Sequence, residues 1–88
     1  MKALNYAILQ YYTKVSEADA DQVMASLQGE YSNFRTFKKK SIIEALMTAK
    51  ANGILEETHV ELDDNDELKV FYCATEEGKE TIRKYIGN

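Results

Sequence analysis

Proline and tryptophan are absent from these 88 residues, cysteine and histidine occur once each, and glycine only four times. A lone cysteine, Cys73, excludes an intramolecular disulfide and a cysteine-based zinc cluster. The glycines, at 29, 53, 78 and 87, are too scattered to form a phosphate-cradling loop or a dinucleotide fingerprint. No apolar run approaches the roughly 20 residues a membrane helix needs, and Met1-Lys2-Ala3-Leu4-Asn5-Tyr6 lacks the apolar core of a secretory signal. The expectation is a soluble, cytoplasmic protein with no cofactor. What remains is ordinary for a globular chain, 44% apolar and 30% charged, and its length suits a single domain spanning 1–88.

Charge is unevenly spread. The chain has 11 Lys and Arg against 15 Asp and Glu, a net charge of -4, yet Arg35, Lys38, Lys39 and Lys40 fall within six residues. Without those four cations the remainder would stand at -8. A locally basic segment on an acidic body directs attention to polyanionic partners.

Apolar spacing supplies the frame around that segment. Leu4, Ala7, Ile8, Tyr11 and Val15 recur at steps of three and four, predicting a first helix of about 12 residues. Ser16 is positioned to cap a second helix, carried by Ala20, Val23, Met24, Leu27 and Tyr31 and ending near Gly29. Ser32 or Thr36 would cap a third, over about 36–51, with Ile42, Ile43, Leu46, Met47 and Ala49 inward and Ser41, Glu44, Ala45 and Thr48 outward. Ala51-Asn52-Gly53 stops it, and Ile54 and Leu55 return to the core.

Two β patterns follow, Thr58 to Leu62 and Leu68 to Ala74, around the turn-forming Asp63-Asp64-Asn65-Asp66-Glu67. Pairing Leu62 with Leu68, Val60 with Val70 and Thr58 with Tyr72 gathers one apolar face; Glu61 then meets Lys69, and His59 meets Phe71, on the other. Thr75 caps a last helix with Glu76 and Glu77 in its first turn, Ile82, Tyr85 and Ile86 on its buried side, and Arg83 and Lys84 near its end. Three helices, a hairpin and a short C-terminal helix make an α+β chain with the element order of a winged helix-turn-helix.

In that arrangement the third helix enters the DNA major groove. Arg35, Lys38, Lys39 and Lys40 would clamp phosphates, with added backbone contacts from Asn33 and Thr36, while Ser41, Glu44 and Thr48 would read base edges. The acidic tip opposes such contact, because carboxylates repel phosphate. It does not form a calcium loop of the EF-hand kind either, since the twelfth position from Asp63 is Ala74 and no central glycine is present. His59 and Cys73 have no base or orienting partner nearby in sequence, so no catalytic role is expected. An alternative reading is a protein-interaction module whose tip, Asp63, Asp64, Asp66 and Glu67, meets a basic partner. Ion pairing of the lysines by Asp19, Asp21 or Glu30 would favour it. Tyr6, Tyr12 and Tyr85 could form an exposed aromatic strip for a homodimer through the first and last helices.

Three stretches carry family resemblance. Leu46-Met-Thr-Ala-Lys-Ala-Asn-Gly-Ile-Leu55 resembles the end of a winged-helix recognition helix, and Tyr72-Cys-Ala-Thr-Glu-Glu-Gly-Lys79 is similar to the Thr-x-x-Gly segment leading out of the wing in small bacterial regulators of the MarR and PadR type. Leu4-Asn-Tyr-Ala-Ile-Leu9 resembles the opening of small YjcQ-type proteins. The resemblance implies a winged-helix fold and operator binding as a dimer, with Ser41, Glu44 and Thr48 at recognition-helix positions.

Overall fold

The computed structural model describes residues 2–87. Its elements run α1 (Leu4–Tyr11), α2 (Ala20–Tyr31), α3 (Lys39–Ala51), β1 (Leu55–Leu62), β2 (Leu68–Ala74) and α4 (Glu76–Tyr85). This is the element order expected. Among the described residues no helix is long and apolar enough to cross a membrane.

The first helix is shorter than its spacing predicts. Tyr12, Thr13 and Lys14 donate their backbone N–H groups three residues back, to Leu9, Gln10 and Tyr11, and the Thr13 hydroxyl also donates to the Gln10 carbonyl at 2.7 Å. These bonds tighten and end the helix. Tyr12 therefore turns inward, is fully buried, and donates its hydroxyl to the Ala18 carbonyl at 2.9 Å. The expected Tyr6, Tyr12 and Tyr85 strip is corrected on this point: Tyr12 belongs to the core, while Tyr6 and Tyr85 are exposed. Tyr85 thereby also leaves the buried side assigned to it, which Ile82 fills.

Asp19, not Ser16, caps α2. Its carboxylate accepts from the Gln22 N–H at 2.9 Å while the Gln22 side chain accepts from the Asp19 N–H at 3.0 Å, a reciprocal arrangement that satisfies two otherwise free donors. The helix continues through Gly29 to Tyr31, whose buried ring fastens the turn by donating its hydroxyl to the Lys2 carbonyl at 2.7 Å. Neither Ser32 nor Thr36 caps α3: Lys38 holds that position in extended conformation without a side-chain cap bond, so the helix begins at Lys39 rather than near 36.

Ile8, Tyr12, Val23, Ile42, Leu46, Leu55 and Ile82 form the fully buried centre. Ile42, Leu46 and Ala49 make a complete stripe on α3, and at about 100° per residue this leaves Ile43 and Met47 on the flank. Both expected core residues are in fact exposed.

The hairpin keeps the predicted register from Leu62↔Leu68 to His59↔Phe71. It then slips: Tyr72 pairs with Glu57, not Thr58, because an irregularity between Glu57 and His59 leaves Thr58 as an extra residue, and β1 extends back to Leu55. The displaced Thr58 hydroxyl donates to Glu17 at 2.6 Å. Backbone bonds in both directions between Ala18 and Tyr72 add a bridge at the outer edge of β2.

The Thr75-x-x-Gly78 segment is a clasp. Thr75 accepts from the Gly78 N–H and donates to the Gly53 carbonyl, both at 2.8 Å, and its own N–H donates to Ile54. A Cβ on Gly78 would lie 2.0 Å from the Ile54 carbonyl oxygen, so α4 reaches the α3–β1 turn only because that side chain is missing.

Candidate nucleic-acid interface

Arg35, Lys38, Lys39 and Lys40 lie in the α2–α3 turn and the first residues of α3, and all four are exposed. Arg35, Lys38 and Lys40 make no ion pair among the described residues. Lys39 differs. Its ammonium lies 3.2 Å from Asp21 and 3.6 Å from Glu67, and the hydrogen bond to Asp21 is the main cause of a pKa above the usual lysine value. Lys69 joins the same network, 3.5 Å from Asp21 and 3.9 Å from Asp19. The start of α2, the start of α3 and the hairpin tip are thus linked by ion pairs; those of Lys39 with Asp21 and Glu67 are exposed and worth about 0 to 1 kcal/mol each, whereas the Asp19 carboxylate that Lys69 approaches is buried.

The faces of α3 follow from its buried stripe. Opposite Ile42, Leu46 and Ala49 stand Lys40 and Glu44; toward the hairpin lie Lys39, Ile43 and Met47; toward α1 lie Ser41, Ala45 and Thr48. Of the predicted reading residues, Glu44 therefore faces outward. Ser41 and Thr48 line a shallow surface hollow with Asn5, Phe34 and Thr36. Spacing alone could have singled out Ile43 and Met47 as surplus to the stripe. Of the partners of Lys39, Asp21 was among those expected for the interaction-module reading, whereas Glu67, from the wing tip, left no local signal.

Bacillus subtilis PadR, solved in complex with operator DNA, superposes on this arrangement with a TM-score of 0.76 at 22% identity, over 100% of this chain and 49% of the PadR chain. A putative transcriptional regulator from Thermoplasma acidophilum, TA0346, gives 0.73 at 17% identity, over 93% of this chain and 75% of that one. The fold is a winged helix-turn-helix. No protein-family model matches the sequence, and no curated protein does. The chain spans about half the length of the PadR chain it resembles.

The wing, β1 to β2, carries its acids on an ordered turn. Asp63 accepts from the N–H groups of Asn65 at 2.8 Å and Glu67 at 2.9 Å, and the bond from Glu67 is the first cause holding its carboxyl below the usual range. Asp66 sits at φ 60°, a left-handed conformation in which aspartate is one of the better-tolerated residues. At mid-wing, His59 stacks on Phe71 at 4.3 Å, with Nε2 2.8 Å from Glu61 and Nδ1 3.3 Å from Glu17. The Glu61 contact chiefly raises its pKa, with Glu17 adding to it. This histidine is thus a clip between the wing and the α1–α2 loop.

Proposed function

We propose that this domain is a DNA-binding transcriptional regulator that presents α3 to the major groove. The observation that carries the proposal is the run of three unpaired cations, Arg35, Lys38 and Lys40, at the exposed head of the third helix. Similarity to the PadR domain seen with operator DNA supports it. These residues hold phosphates on either side of the groove. Lys39 becomes a fourth contact when a phosphate displaces Asp21 and Glu67, a modest exchange because both pairs are exposed. Glu44 accepts from a cytosine amine, and Ser41 and Thr48 contact the groove wall from the α1 flank. Tyr6 and Tyr85, 53% and 72% exposed, are the aromatic residues available for a homodimer contact through α1 and α4.

One specific observation favours the competing reading, a protein-interaction module. Lys39 is held by carboxylates, and the tip residues Asp63, Asp64, Asp66 and Glu67 would face phosphate if the wing touched DNA. Selection from a random duplex pool with purified protein, repeated at two salt concentrations, separates the two. Enrichment of a shared motif that weakens with salt supports the regulator. Failure to retain any duplex at low salt removes DNA and leaves the protein partner, and a retained pool that stays random removes sequence-specific regulation.

A further inference from the structure

Five large apolar side chains are left uncovered on one side of the molecule. Ile43 and Met47 of α3 border the same hollow as Leu68 and Val70 of the wing, and Val60 and Leu62 extend that face because they pair across the hairpin with Val70 and Leu68. Met47, Val60, Leu62 and Leu68 are each more than half exposed, and Ile43 is 39% exposed. A contiguous apolar surface of this kind, rimmed by charge, marks an interaction site more often than a single exposed leucine does. The hollow between α3 and the wing measures about 110 Å³, well below the roughly 300 to 1,000 Å³ of sites that enclose a small molecule. It has room for anchoring side chains, not for a cofactor.

Charge selects among occupants. Leu62 and Leu68 flank the tip, where Asp63, Asp64 and Asp66 make no ion pair among the described residues. Asp19 and Asp21 border the hollow, but Lys39 and Lys69 offset them. At the tip end of the apolar face the uncompensated charge is therefore negative, while at the α3 end the unpaired Lys40 stands beside Ile43 and Glu44. A phosphate backbone is repelled at the tip and a cationic segment is attracted. Addition of a strand along β1 is disfavoured by Glu56, Glu57 and Glu61 and by the irregularity at Thr58. A helix laid across the hollow meets neither obstacle.

We infer that the hollow between α3 and the wing docks an amphipathic helix of a partner protein, with its apolar stripe on Ile43, Met47, Leu62 and Leu68 and its Lys or Arg residues on the acidic tip. The inference goes beyond DNA binding and has its own test. Because the docked helix covers part of α3, it excludes duplex from that helix and regulates the domain by competition.

The probe is a fluorescein-labelled peptide of about 16 residues, long enough for the i, i+3, i+4, i+7 anchors of a helix in a groove, with leucine on one face and lysine on the other. Controls are a scrambled peptide of identical composition and a leucine–glutamate counterpart, read by anisotropy. The leucine–lysine helix is expected to bind the full chain, and the two controls are not. Met47→Ser and Leu68→Ser are each expected to weaken it by about tenfold, the effect of losing an anchor, with unchanged circular dichroism and melting. Asp64→Asn with Asp66→Asn is expected to weaken it and lessen its salt dependence. Equal binding of the scrambled peptide, or binding indifferent to Met47→Ser and Leu68→Ser, would overturn the inference. So would sedimentation showing a dimer of this chain that those two substitutions dissolve, which assigns the face to a second copy. Loss of duplex binding in the same variants without any peptide binding would assign it to DNA.

Discussion

The two ends of the hairpin share one alternation of apolar and polar residues and have opposite fates. At the inner end Leu55, Tyr72 and Ala74 are buried, held by the bridge to Ala18 and by the Thr75 and Gly78 clasp. At the outer end Val60, Leu62 and Leu68 stand in solvent on the same fold of chain. Alternation marks which side of a strand an apolar residue takes; only the reach of the body beneath decides whether that side is covered. In this domain the body ends near Tyr72, and the wing projects beyond it.

The inner end of the hairpin depends most on the clasp. Gly78→Ala forces a methyl group into the Ile54 backbone and should cost about 3 kcal/mol or more, seen as a large drop in chemical-denaturation midpoint. Tyr12→Phe tests the next support. The Ala18 carbonyl keeps its bond from the Tyr72 N–H, so loss of the Tyr12 hydroxyl should cost only about 1 kcal/mol, read in the same titration. At the outer end Leu68→Ser should change stability by no more than about 0.5 kcal/mol; a drop as large as that of Gly78→Ala would mean that the outer wing is as much a part of the core as the inner end.

The smallest effect is in pH dependence. His59 has a folded pKa raised by Glu61 first and by Glu17, and Phe71 packs its ring without charge. Its contribution is fully present below the unfolded value of about 6.5 and disappears as pH rises through the folded value. Stability should therefore fall slightly across that window in the native chain, and His59→Gln should flatten the fall. Asp63 runs the other way: its folded pKa is lowered, so its contribution is present above the ordinary carboxylate range and is lost on acidification.

Most of the fold was legible because each helix repeats its apolar residues at helical spacing and the hairpin alternates. Leu4, Ile8, Val23, Ile42, Leu46 and Ile82 were placed in the core by spacing alone, and they are buried. Two misplacements trace to local bonds and one to a distant contact. Asp19 displaced Ser16 because its partner Gln22 could complete a two-way cap. Tyr12 went inward because the Thr13 hydroxyl and the tightened turn ended α1 early. Thr58 lies out of register at the irregularity between Glu57 and His59, and its hydroxyl bonds Glu17, 41 residues away in sequence. Of the candidate site, the basic block and its exposure were legible. Pairing of a lysine by Asp21 was among the alternatives the sequence offered, and Lys39 makes it; the second partner, Glu67, was not legible, since it approaches Lys39 only through the packing of the wing.

Whether the cations at the head of α3 hold phosphates is read from the salt dependence of duplex binding. With Arg35, Lys38 and Lys40 each neutralising one phosphate, log affinity should fall against log salt with a slope of about -2.7 per domain, or about -3.6 if Lys39 joins. Lys38→Ala with Lys40→Ala should flatten that slope by about 1.8. A slope unchanged in the double variant, or no duplex bound by the native chain at low salt, would contradict the assignment of these residues to DNA.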